Sequence, residues 1–408
     1  MGEALDTVLF TWSHINLVRG CQWAVLSVRK ESKMKRWQKT AISGFALAGL
    51  FSLQGPEATL AWQAEWDKTL KAAKAEGELR IWGGEEISHP KVVAAFNKEH
   101  PYLKVITVTG RASQLVMRLT AERRAGKFLV DVWATGPGGP RQLYELKSLE
   151  PINDKLILPD VTDQSKWYGG RHHYGDPENK YIFIYEGTPN TGMSVAYNAE
   201  KLKNPEEFKT LWDIANKWKG KVLFYTYGSG GSIPTPVLMT YYDPDAGPDF
   251  LTRVFKEMDI TVSRNRRQAT NWLGQGKFAI CFLCRDIERA KAQGLPVEEL
   301  GLDRNLLGGG NSSVLSLIKD APHPNAAKVF INWYLSRQGQ MFYQRFLNTE
   351  VLEGTDSMRV DISKDEVLPG YRRIEGRQYR VMGFLDPVPT RRFYRDLLRE
   401  LDLRRRGQ

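Results

Sequence analysis

From Trp62 onward the hydrophobic positions switch repeatedly between a helical period and the short β-branched runs of strands. Residues 64–76 read as a helix stopped by Gly77, and residues 78–82 as a strand followed by Gly83-Gly84. Ser88 and Pro90 open a helix with Val92, Val93 and Phe96 on one face. Residues 103–108 predict a strand, 112–125 a helix, and 129–133 a strand running into the loop 135–140. The second half repeats this rhythm, with strands at 193–197, 221–225, 277–283 and 314–318. Its helices fall at 249–258, 266–273 and 324–335. Such alternation predicts an α/β fold with parallel sheets covered by helices. The chain is too long for one ordinary sheet, so two α/β lobes are expected. Ligands of open α/β sheets lie at the carboxyl ends of strands. That rule singles out residues 83–86, 110–113, 134–140, 226–231 and 284–285.

Ahead of Trp62 the pattern is different. Met34-Lys35-Arg36-Trp37-Gln38-Lys39 is basic, and residues 41–53 form a 13-residue apolar stretch. Thr59 and Ala61 then stand at −3 and −1 of a small-residue cleavage site. Together these are the parts of a secretory signal peptide spanning 34–61, with an apolar core too short to cross a bilayer comfortably. The expectation is export to a bacterial periplasm. Residues 1–33, including Cys21, read as a gene-model extension ahead of a true start at Met34.

Composition adds little until charge is localised. The 408 residues are 42% hydrophobic and 26% charged, which excludes a disordered or collagen-like chain. The net charge of +11 resembles a nucleic-acid signal, but residues 1–61 carry +3 and residues 371–408 carry +6. The central body is nearly neutral and has no basic stripe, so no nucleic-acid partner is expected.

Several ordered stretches resemble the periplasmic solute-binding proteins of ABC importers, in the branch that includes ferric-iron binders. They are Gly77 to Trp82, Thr109-Gly110-Arg111-Ala112-Ser113, Ala121 to Lys127, Asp131-Val132-Trp133, Val195 to Asn198 and Trp218 to Val222. The most specific is Lys319-Asp320-Ala321-Pro322-His323-Pro324-Asn325-Ala326-Ala327-Lys328, continuing through Trp333 to Gln340. The resemblance implies a two-lobed periplasmic-binding-protein fold of type II, each lobe a sheet flanked by helices, with the ligand in the cleft between. Lobe 1 would comprise 62–188 and 314–365, lobe 2 residues 189–313, and a basic helical tail 366–408 would pack on the lobes. It also implies a monomer without enzymatic activity or cofactor, working with a small solute and a membrane permease and ATPase.

The resemblance bears on the ligand as well. Ferric-binding relatives hold iron with a tyrosine pair, which aligns here with Cys284 and Arg285; their histidine falls near Glu86 and their glutamate near Gly136. The oxygen cage is missing, so a ferric or ferric-chelate binder needs remodelled ligands. The surviving features suit a small organic anion, a carboxylate or phosphonate. Arg111, Ser113, Ser229 and Arg285 are the leading contacts, with Tyr227 and Gly230 in the glycine-rich loop and Thr135 after the third strand. Glu85 and Glu86 favour instead an amine or sugar hydroxyls. Trp82 and Trp133 are candidates for stacking on the ligand, with core packing as the alternative.

Other signals are weaker. Cys281 and Cys284 on one strand would stand about 10 Å apart, beyond disulfide reach unless the strand ends between them. Two separate thiols are expected, and an enzyme using Cys284 as nucleophile lacks an evident base. His172-His173 in a Gly/Pro-rich loop point apart, so no metal is expected there. Tyr241-Tyr242 reads as packing at a helix end. Phe393, Leu397 and Leu401 form the apolar stripe of an amphipathic helix that docks on the second lobe. A ligand sensor coupled to a membrane receptor is the remaining alternative.

Overall fold

The computed structural model describes residues 56–408, apart from 137, 191, 227–232, 309–312, 353 and 407–408. Contacts divide the chain into Met1–Leu53 and Gln54–Gln408, and the described residues all belong to the second unit. The expected extension and most of the signal peptide therefore lie outside the described residues. A helix spans Pro56–Glu76, beginning ahead of the expected residue 64 and running through Ala61. Proline in the first turn is favourable because its missing N–H is not needed there.

The strands β1 (Glu78–Gly83), β2 (Lys104–Thr109), β3 (Val132–Thr135), β4 (Leu149–Glu150), β5 (His173–Tyr174) and β6 (Phe183–Ile184) lie in one sheet. The chain leaves it through β7 (Pro189–Asn190). It then builds a second sheet from β8 (Val195–Asn198), β9 (Val222–Tyr225), β10 (Ile260–Ser263), β11 (Ile280–Phe282) and β12 (Val297–Glu299). It returns by β13 (Leu306–Gly308) to β14 (Val314–Ile318) in the first sheet, and β15 (Arg380–Met382) follows near the end. The strand orders are β2-β1-β3-β14-β6-β5, with β4 beside β14, then β10-β9-β11-β8-β12, and β15-β13-β7.

The lobes are α/β as expected, but their sheets are mixed rather than parallel. β1 runs parallel to β2 and β3, and β9 parallel to β10 and β11. β14 is antiparallel to β3, and β8 is antiparallel to β11. β14 and β8 each enter their sheet from the other lobe. They are not the return strands of a β-helix-β crossover, whose right-handed geometry enforces parallel pairing.

Two large cores result. One gathers Trp82, Trp133, Phe183 and Phe330; the other gathers Phe224, Phe250, Phe282 and Val254. Leu238, Met239, Leu306, Met382 and Leu385 make a small third core against the three-stranded sheet through which the chain passes. At this crossing Glu186, only 6% exposed, accepts a hydrogen bond from the Thr188 hydroxyl at 2.9 Å. Burial pushes its carboxyl up to about 7, against hydrogen bonds from Ser313 on the return crossing. The last helix, Pro387–Arg406, buries Tyr394, Leu397 and Leu401 in the second core.

Candidate functional site

Three strand ends build the first lobe's side of the site. β1 stops at Gly83, where a Cβ would collide with the Ala134 carbonyl oxygen. Only glycine allows this close backbone passage, and Gly84 N–H donates to the same oxygen at 3.0 Å. The chain then turns into the short helix Glu85–Ser88. The Glu85 side chain is outside the described set; Glu86 is half-buried, and its charge reaches the buried Tyr343 phenol. Burial first, then Tyr185, Glu186 and Glu86, hold that phenol well above its usual range.

β2 ends at Thr109, and Arg111 is the N-cap of helix Ala112–Arg124 in extended backbone, without a side-chain capping bond. Arg111 and Ser113 are both exposed. β3 ends at Thr135, whose side chain is outside the described set, and helix Gly138–Glu145 follows. A Cβ at Gly139 would stand 2.9 Å from the Trp133 ring and 3.2 Å from the Ala112 Cβ. The starts of these two helices are thus pressed together over Trp133.

That packing decides the tryptophans. Trp133 is 0% and Trp82 is 2% exposed, both in the first core. The Arg118 guanidinium lies over the Trp82 ring at 4.6 Å. Of the two alternatives for these rings, the structure assigns both to packing rather than ligand stacking.

In the second lobe, β9 leads to buried Thr226. The expected contacts Tyr227, Ser229 and Gly230 lie outside the described residues. Thr226 is anchored from the last helix, since the Tyr394 hydroxyl donates to its Oγ1 at 2.9 Å. The other strand end corrects an expectation: Cys281 and Cys284 form a disulfide, with Cα atoms 5.7 Å apart. β11 ends at Phe282, and Leu283 adopts a left-handed backbone with φ of 61°, which folds the chain back. The expectation of separate thiols assumed a strand continuing to 283.

Beyond the disulfide, Arg285 is exposed and its carbonyl accepts from Thr270 Oγ1 at 2.8 Å. Asp286 is also left-handed and is gripped by both arms of Arg266, one at 2.6 Å from Nε. The Arg266 hydrogen bond, and next its charge against the opposing effect of burial, hold the Asp286 carboxyl below its usual range.

The discounted groups have structural roles. His172 and His173 each place Nε2 on a backbone carbonyl, of Val161 at 2.9 Å and Tyr168 at 2.7 Å. Tyr241 packs on Phe393, and the Tyr242 hydroxyl donates to the Asp386 carbonyl at 3.1 Å. Among the described residues no group of three or more His, Cys, Asp and Glu is placed to hold a metal ion. A cavity of about 740 Å³ lies at the first lobe's edge, lined by Arg171, His172, Asp176 and Phe384 among others.

Sequence reasoning passed over Arg141, which stands on the second turn of helix Gly138–Glu145. The signal was present in Gly138-Gly139-Pro140-Arg141, an arginine closely following a strand's carboxyl end. It also passed over Glu186, because nothing local marks a surface-type residue as buried at a crossing.

A family model described as bacterial extracellular solute-binding protein matches residues 91–348. No curated protein matches the chain. Solved structures of similar fold include an ABC transporter protein from Clostridium perfringens, at 14% identity and a TM-score of 0.56, covering 79% of this chain and 99% of that one. IdiA (FutA) from Trichodesmium, in complex with iron and citrate, shares 16% identity with a TM-score of 0.54 over 81% of this chain and 99% of its own. The spermidine/putrescine substrate-binding protein PotD from Streptococcus pneumoniae shares 13% identity with a TM-score of 0.53 over 80% and 98%.

Proposed function

The chain belongs to the bacterial extracellular solute-binding protein family, and from that premise we propose that it captures a small organic anion, a carboxylate or phosphonate, between its lobes. It then hands the solute to an ABC permease and its ATPase at the inner membrane, working in the periplasm after removal of the signal peptide.

The observation that carries the anion reading is the exposed Arg111 at the end of β2. It sits with exposed Ser113 at the N-terminus of a 13-residue helix. A helix N-terminus presents unpaired N–H groups and partial positive charge, and an arginine beside it adds a two-bond fork. Exposed Arg285 supplies a second positive group from the other lobe. The short strands β7, β13 and β15 form the connection about which the lobes close.

A bare ferric ion is less well served. At the positions where the resemblance sets the tyrosine pair stand a disulfide-bonded cysteine and an arginine. The same bond leaves Cys284 without a thiolate for catalysis. The protein is a binder and not an enzyme.

The test is a melting-temperature screen of the full chain against phosphonates, carboxylates, amino acids, polyamines, sugars and ferric citrate. A ligand that binds only the native state raises the melting temperature with concentration. One anion class is expected to do so, with a smaller radius of gyration in small-angle scattering and weaker binding after Arg285→Ala. A shift with polyamines or sugars alone refutes the anion reading.

A further inference from the structure

Three arginines drawn into the fold are treated very differently by their surroundings. Arg359 is fully buried, and each of its three nitrogens has an acceptor. Its Nε and Nη2 donate to Asp361 at 2.9 and 2.8 Å, and its Nη1 donates to the Asp160 and Leu335 carbonyls at 3.0 Å. Arg373 donates to Asp356 Oδ1 at 2.9 Å and to the Ser357 carbonyl at 2.6 Å. Arg141 makes no hydrogen bond or ion pair among the described residues, although its Nε is shielded from solvent. Its guanidinium rests 5.9 Å from the Phe384 ring centroid.

The position of Arg141 is as informative as its lack of partners among the described residues. It follows the carboxyl end of β3 in the first lobe. Its charge reaches Glu145, one turn along the same helix and exposed, then Asp386, in the segment between β15 and the last helix, and Tyr242 of the second lobe; no ion pair joins it to either carboxylate among the described residues. Tyr242 and Asp386 are already joined by a hydrogen bond, and the Asp386 carboxylate is engaged in accepting from Val388 N–H at 2.9 Å. Arg141 therefore stands where both lobes and the connecting segment converge; of the two carboxylates in its reach, Glu145 is exposed and Asp386 caps another helix.

A shielded cation without a directly paired counter-ion is destabilising, and buried donors are nearly always satisfied. A bound anion supplies the missing charge and the missing acceptors together. We infer that Arg141 is the anchoring contact for the solute: its guanidinium, seated on Phe384, receives the carboxylate, phosphate or phosphonate group in a two-bond fork as the lobes close. This deepens the proposed solute-binding reading and rests on it.

The test measures binding by calorimetry and melting by circular dichroism on the full chain and its variants. The probes are inorganic phosphate, methylphosphonate, malonate and citrate, with spermidine and glucose as non-anionic comparisons. The wild type is expected to bind one of the anions. Arg141→Met should weaken that binding at least about 100-fold, and Arg141→Lys, which keeps the charge but loses the fork, about tenfold. Without ligand, Arg141→Met should melt at or above the wild type, whereas Arg359→Met should melt far below it. Unchanged anion affinity in Arg141→Met overturns the proposal. So does a ligand-free melting temperature as low as that of Arg359→Met, which would make Arg141 a structural residue. Binding of spermidine or glucose alone, or of none of the probes, overturns the anion assignment and leaves the solute-binding reading standing.

Discussion

Asp131 and His323 are bonded to each other across the first lobe. The fully buried Asp131 carboxylate accepts from His323 Nδ1 at 2.9 Å and from the His323 backbone N–H at 2.8 Å. It also accepts from Arg80 N–H at 2.7 Å. Asp131-Val132-Trp133 and the Lys319–Lys328 stretch are two of the segments that carry the family resemblance, and one pairing ties them together. Their shared role is to clamp the start of helix Pro324–Leu335 onto the sheet.

Asp131→Ala should accordingly cost about 2–4 kcal/mol, because three donors lose their acceptor in a buried place. Urea unfolding followed by circular dichroism measures it. A loss under about 0.5 kcal/mol would show that water replaces the carboxylate without penalty.

Glu186 predicts a pH dependence. Its folded-state carboxyl is raised to about 7 from an ordinary value of 4.5. The native state therefore binds the extra proton between those values. Its contribution to stability is complete below about 4.5 and is lost as pH rises through about 7, amounting to about 3 kcal/mol. Glu186→Gln should flatten this part of the stability profile and leave the variant more stable than the wild type above pH about 7. Denaturant melts at pH about 5 and about 8 compare the two.

The Cys281–Cys284 disulfide closes a very short loop, so its chain-entropy contribution is only about 2 kcal/mol. Cys281→Ser with Cys284→Ser should lose about that much stability. Amide exchange should quicken at residues 283–286, where two left-handed residues hold the Arg285 loop. Uniform acceleration across the whole second lobe would contradict this local role.

The last helix should behave as part of the second lobe. Leu397→Ala removes a side chain that is 3% exposed in that core and should cost about 2–5 kcal/mol. Tyr394→Phe should cost about 1 kcal/mol through the lost bond to Thr226. Chemical denaturation of each variant is the measurement, and a helix that contributed only surface charge would show neither loss.

The elements set by local periodicity are legible in the amino-acid sequence alone. The strand 314–318 and the helix 324–335 have the same bounds in the hydrophobic pattern and in the fold, since burial on one face repeats at a fixed spacing. The strand ends that carry Arg111 and Arg285 follow from the same rhythm. What the sequence leaves unread depends on residues far apart in the chain. The strands β7, β13 and β15 are two or three residues long and exist only because segments around 190, 306 and 380 meet. The mixed sheets follow from strands arriving from the other lobe, and the disulfide follows from one left-handed residue after Phe282. The burial of Trp82 and Trp133, the raised carboxyl of Glu186 and the absence of a partner for Arg141 among the described residues are properties of their surroundings. A residue's type records what it is able to bond; only the packing around it decides which of those bonds are made.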